Sequence, residues 1–158
     1  MEIKEELMQE ARSGGICKDG YEYMRICDID KLIDYYIQNP DWCLERNYPT
    51  LAYLKEHFAD KQDKGIYVDE KFSGELLDEK QVYIFHNCKG TIKVGLNVKK
   101  AIIPMLYIAN NCRIRIVGVG EDGMRQSEVP IYIFGKNDVS AHNNKYVKFN
   151  KYETDLIV

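Results

Sequence analysis

Three segments of this chain are nearly the same. VYIFHNC begins at Val82, LYIANNC at Leu106 and IYIFGKND at Ile131. Tyr83, Tyr107 and Tyr132 recur at intervals of 24 and 25 residues. Asn87, Asn111 and Asn137 follow them, then Cys88, Cys112 and Asp138. An alternating strand pattern comes after each copy: Ile92 and Val94, Ile114 and Ile116, Val139 and Ala141. Pro104 and Pro130 stand just before the second and third copies. A fixed period in the twenties marks stacked repeats, each unable to bury its apolar face alone. Leucine-rich repeats share that range, but their leucine spacing and helical segment are absent. A β-solenoid satisfies the pattern, because successive turns stack as parallel strands about 4.8 Å apart. Asparagine at a strand end tolerates the left-handed region and can bond its counterpart in the next coil. A small Cys or Asp beside it suits a tight corner. The competing arrangement is an antiparallel sandwich whose turns happen to echo.

The first part of the chain has a different period. Ile3, Leu7 and Ala11 share one helical face, and Gly14-Gly15 stops it. Ile29, Leu32, Ile33, Tyr36 and Ile37 follow the spacing of a core-facing stripe, with Asp28 at the N-cap and Asn39-Pro40 at the end. Pro40, Trp42 and Leu44 fit a short following helix, and Thr50 precedes a third stripe of Leu51, Leu54 and Phe58. GICKDGYEYMRICD, between the first two helices, reads as a loop because of its glycines. From Gly65 the period becomes two, in short segments rich in branched and aromatic residues. No helix-length pattern separates these segments, which argues against a βαβ sheet. Residues 119–130 read as a surface loop. The fold expected is α+β: a helical cap over residues 1–64, then a β-solenoid of about three coils over residues 65–158. Open ends of a coil pile invite edge pairing, so the helices are expected to cap one end.

The second half resembles short right-handed parallel β-helices, the architecture of pectate lyases and phage tailspikes. The chain as a whole resembles small bacterial proteins, some prophage-linked, that join a helical head to such a solenoid. VYIFHNC, LYIANNC and IYIFGKND carry the resemblance, and it is architectural. The long acidic groove of the larger β-helix enzymes has no counterpart here, so no catalytic residue is carried over.

Candidate chemistry is sparse. His86 and Cys88 lie two apart, as a thiolate pair would. The other copies lack the histidine, so a corner cysteine beside a surface histidine is the better reading. Cys17, Cys27, Cys43 and His57 stand ten or more residues apart, unlike the close pairs of a zinc site. GVGEDG, from Gly118, lacks the strand-to-helix setting and the lysine ending of a phosphate loop. Lys93, Arg113 and Arg115, with Lys89 nearby, face outward if Ile92, Val94, Ile114 and Ile116 face in. That stripe could hold an anionic sugar, a phosphate or an acidic partner, or be a solvated face balanced by residues such as Glu75. Tyr83, Tyr107 and Tyr132, flanked by Phe85 and Phe134, are expected as an outward ladder. Such a ladder needs cover from the helical head, a second subunit or a ligand.

At 158 residues folding can bury about two thirds of the unfolded surface, so no disulfide framework is needed. The five cysteines, odd in number and without a CxxC pair, read as reduced thiols of a cytoplasmic protein. Cys88 and Cys112 are expected on adjacent coils. The acidic, amphipathic start does not resemble a secretion signal, and no apolar run approaches the roughly 20 residues that span a bilayer. A formal net charge of −3 argues against general nucleic-acid binding. The residues point to a non-enzymatic structural or interaction module, self-associating or bound to a protein partner, with no cofactor and no metal. The second reading is a carbohydrate-binding or carbohydrate-active protein using the outward solenoid face.

Overall fold

The computed structural model describes residues 3–95, 99–118, 129–142 and 146–153. Five helices come first: α1 (Ile3–Ser13), α2 (Lys18–Ile26), α3 (Ile29–Gln38), α4 (Pro40–Glu45) and α5 (Leu51–His57). Asp28 caps α3 by accepting from the Lys31 amide at 2.9 Å, and Thr50 caps α5 from the Tyr53 amide at 3.3 Å. Helix α2 replaces the loop expected there. Its Cys17 thiol accepts from the Gly20 amide, and Met24 is buried. Gly20 serves close packing instead of a turn, since a Cβ on it would lie 2.9 Å from Ile16 Cγ1. No helix among the described residues is long and apolar enough to cross a membrane.

Among the described residues nine strands follow: β1 (Ile66–Val68), β2 (Lys71–Leu77), β3 (Val82–His86), β4 (Lys89–Val94), β5 (Met105–Ala109), β6 (Arg113–Val117), β7 (Val129–Phe134), β8 (Asp138–Ala141) and β9 (Val147–Tyr152). The odd strands form one sheet in the order β1-β3-β5-β7-β9, and the even strands a second in the order β2-β4-β6-β8. Every pairing among these nine strands is parallel, which excludes the antiparallel sandwich. Two elements precede the first copy read from the sequence, so the stack exceeds three repeats. The expected loop at 119–130 lies outside the described residues up to position 128, and Val129 and Pro130 already belong to β7. GVGEDG likewise falls outside them beyond Gly118.

Apolar side chains pack in two places. Between the sheets lie Tyr83, Phe85, Ile92, Leu106, Ile108, Ile114, Ile131 and Ile133. On the far side of the first sheet, Ile66, Ile84, Tyr107, Ala109 and Phe134 join Leu32, Ile33, Tyr36, Leu54 and Phe58 of the helices in one cluster. The head therefore lies against the face of the first sheet and does not plug an end of the pile. The reason is area: a sheet face of five strands offers more apolar surface than one end coil, and burial scales with that area. Strands β3 and β5 of the first sheet, buried on both faces, are near-continuous apolar runs, whereas β6 of the second alternates.

Register corrects the ladder. Strand β3 pairs Tyr83 with Leu106 and Ile84 with Tyr107, so Tyr83 is not the neighbour of Tyr107. The two copies differ at the corner. Only Asn87 and Cys88 separate His86 from Lys89, whereas Asn110, Asn111 and Cys112 separate the paired positions Ala109 and Arg113. Asn110 and Asn111 both take positive φ, 62° and 63°, where the first corner has Asn87 alone at 52°. One extra corner residue shifts the strand by one, and a shift of one reverses every side chain.

Candidate functional site

The tyrosines divide between two environments. Tyr83 points between the sheets, 2% exposed, and its hydroxyl accepts from the amides of Glu79 and Lys80. Tyr107 and Tyr132 face the helices and stack with centroids 4.7 Å apart. Tyr107 is 6% exposed, Tyr132 is half-buried, and Phe134 stacks on Tyr152 beside them. The helical head thus covers this part of the ladder. Tyr107→Ala should lower stability by about 3 kcal/mol, in the range for deleting a buried aromatic ring. Thermal melting and light scattering check this: the midpoint falls while particle mass stays constant. A lower mass would place a second subunit there instead.

The same slip carries His86 into the interior. It was expected at the surface and is 1% exposed. Its Nε2 lies 2.5 Å from the Tyr36 hydroxyl of α3, and its Nδ1 lies 2.8 Å from Asn110 Nδ2. The amide nitrogen can only donate, so Nδ1 accepts and the ring hydrogen sits on Nε2, facing the Tyr36 oxygen. Burial pushes the imidazole pKa down to about 3 and the Tyr36 hydroxyl well above its ordinary value. Asn110 Oδ1 is buried with no partner among the described residues. This contact joins head, first sheet and corner, and it holds His86 neutral and away from Cys88.

The Cys88 thiol points elsewhere, toward the carbonyls of Tyr67 and His86 at 3.5 and 3.4 Å. Cys112 repeats the geometry one repeat on, with Ala109 and Phe85 carbonyls at 3.2 and 3.7 Å. Cys112 Sγ accepts from the Cys88 amide at 3.3 Å, so the two corners are adjacent. In the third corner Asn137 takes the cysteine place, its Oδ1 accepting from the Cys112 amide at 2.8 Å. A hydrogen bond with Cys112, and then burial, hold Cys88 protonated. Cys17 is exposed and the other four cysteines are buried and free. Native alkylation should therefore mark Cys17 first. Strong oxidant should link Cys88 to Cys112, since adjacent strands place α-carbons about 4.8 Å apart, inside the roughly 4.4–6.8 Å span of a disulfide. Peptide mapping that finds Cys88 and Cys112 unlinked would contradict their adjacency.

The outer face of the second sheet is the third environment. Ile92, Val94, Ile114 and Ile116 are buried inward, and Lys89, Lys93, Arg113 and Arg115 are exposed. The register aligns Lys71 with Lys89 and Lys89 with Arg113, and ends the row at Asp138. A second row runs Ser73, Thr91, Arg115, Ser140. Among the described residues none of these cations has a carboxylate within 4.0 Å; Arg115 only donates to His142 Nδ1 at 3.4 Å. Glu75, expected to balance them, instead accepts from the Ser73 amide. Beside the Lys89–Arg113 pair opens a groove of about 420 Å³ lined by Asn87, Asn111, Lys136 and Asp138, with Cys112 and Asn137 also contributing. Charge is uneven along the chain. Residues 1–64 hold 9 basic and 14 acidic residues, a net of −5, and residues 65–158 hold 13 and 11, a net of +2.

Among the described residues no three His, Cys, Asp or Glu side chains gather as metal ligands would, and Cys17, Cys27, Cys43 and His57 do not come together. Reading by repeat found Lys93, Arg113 and Arg115, but missed Lys71. Its strand KFSGELL is broken by a bulge between Ser73 and Glu75, which hid the period. His86, Tyr36 and Asn110 were missed as a group because nothing in their spacing announces a contact across 50 residues. Comparison of the chain with family models, curated proteins and solved structures finds no match.

Proposed function

We propose that this chain is a non-enzymatic interaction module that binds an anionic partner through the outer face of its second sheet. The stack closes in this reading as a short right-handed β-helix, because crossovers between parallel strands are almost always right-handed. The carrying observation is a row of cations, none with a carboxylate within 4.0 Å among the described residues, on a chain that is acidic overall. Like charges on directly neighbouring strands are unfavourable, so such a row is costly unless something anionic compensates it. The opposite, tyrosine face contributes to folding, and the argument for self-association through it loses its basis. Partner binding in a larger assembly then rests on the basic face. At pH 7 and low salt the chain should be retained on a sulfonate matrix despite its net charge of −3. A variant carrying Lys89→Gln, Arg113→Gln and Arg115→Gln should flow through. Flow-through of the unaltered chain would refute the reading.

A further inference from the structure

We infer that the chain also binds a small amphipathic carboxylate, an organic acid with an aliphatic body, in the cleft where the head meets the start of the first sheet. This site is separate from the basic face of the second sheet and does not depend on it. The seam between head and sheet closes at the end of β3, where Tyr36 meets His86. At the start of β3 it opens into a cleft of about 420 Å³, a size that suits a small molecule. The floor is the head-facing side of the sheet: Val82 pairs with Met105 in register, and Tyr107 lies two residues further along β5. Ile37, near the end of α3, and Pro40, at the start of α4, form the wall. Ile37, Val82 and Met105 pack against the core of the head yet stay half-buried, so apolar area is left wet. A hydrocarbon body that covers it gains in proportion to that area.

The rim selects the charge. Lys64 and Lys80 line the cleft, and no carboxylate among the described residues does. The amides of Glu79 and Lys80 donate to the Tyr83 hydroxyl, which fixes the turn before β3. A Cβ on Gly65 would lie 3.1 Å from Lys80 Cδ, so the Lys80 stem runs along the residue that follows Lys64. The neighbouring acid, Glu79, pairs with Lys100. Among the described residues Lys80 has no carboxylate within 4.0 Å. Lys64 bonds Asp34 Oδ1 at 3.1 Å, and an ammonium has further hydrogens for a second acceptor. An apolar floor beneath two cations fits a carboxylate carried on a hydrocarbon chain. A wholly polar anion would leave the floor wet, and an amine would be repelled by both lysines.

The test is calorimetric titration of the full chain at pH 7 with octanoate, acetate, octanol and octylamine, followed by lysine acetylation with and without octanoate. Octanoate should bind about tenfold or more tightly than each of the other three. It should slow modification of Lys64 and Lys80 and leave Lys89 and Lys93 unchanged. Lys80→Met keeps the stem along Gly65 and removes the charge. It should weaken octanoate about tenfold at an unchanged melting midpoint. The acetylation map uses the unaltered chain, so it decides the matter even where the variant folds poorly. Octanol or octylamine binding as tightly as octanoate, or undiminished binding by Lys80→Met, would overturn the carboxylate assignment. Absence of octanoate binding would overturn the site, and so would protection of Lys89 and Lys93 in place of Lys64 and Lys80. Retention on the sulfonate matrix is read through Lys89, Arg113 and Arg115, so the two readings fail separately.

Discussion

Acidification is expected to destabilise this chain well before its carboxylates titrate. His86 is buried and neutral, its pKa pushed down to about 3 by burial, and its ring faces the Tyr36 hydroxyl and the Asn110 amide. Unfolded, it titrates near 6.5. Between those values the unfolded chain binds a proton that the folded chain does not, so stability falls as pH falls. The slope is roughly 1 kcal/mol per pH unit, and the total down to pH 3 is several kcal/mol. Urea unfolding at a series of pH values from 7 to 4.5 checks this. His86→Gln keeps a hydrogen-bonding group beside Tyr36 and removes the ionisation. It should be less stable at pH 7 and nearly flat across the window. Equal slopes for the two chains would mean that His86 is accessible to protons in the folded state.

The second large effect is expected at Gly90. Its φ is +114°, and a Cβ there would lie 2.1 Å from the Phe72 carbonyl oxygen of the neighbouring strand. Gly90→Ala combines backbone strain with overlap against main chain that cannot rotate aside. Together these cost roughly 2–6 kcal/mol. Strand β2 should leave β4 first, and with it Lys71 leaves the cation row. Amide exchange should show β2 and β4 losing protection before β5 and β7. A variant as stable as the parent would mean that β2 does not approach β4 this closely.

Several features were legible in the letters because they follow from period. Alternation in RIRIV reports a sheet with one wet face, whereas MLYIA was read with the same alternation although its strand is buried on both faces. The repeat interval indicated stacked parallel strands. The face of Tyr83 was not legible, since VYIFHNC and LYIANNC align letter for letter. The extra corner residue has no separate mark, because Asn110 and Asn111 merely extend a corner that already contained asparagine. Amphipathic helices announce that they bury a stripe without saying against what. The seat of the head on the first sheet therefore depended on long-range packing. Helix α2 was obscured by Gly20, read as a loop residue although it packs closely, and strand β2 by the bulge between Ser73 and Glu75 that interrupts its alternation.

The central claim is that one sheet face is occupied by the head and the other is the working surface. Lysine acetylation of the chain, with and without a soluble sulfonated polymer, tests it most directly. Lys71, Lys89 and Lys93 are exposed on the second sheet, and Lys31 and Lys55 are exposed on the head. The account predicts that the polymer slows modification of the first three and leaves the last two unchanged. Protection confined to the head, or none at any lysine, would contradict it.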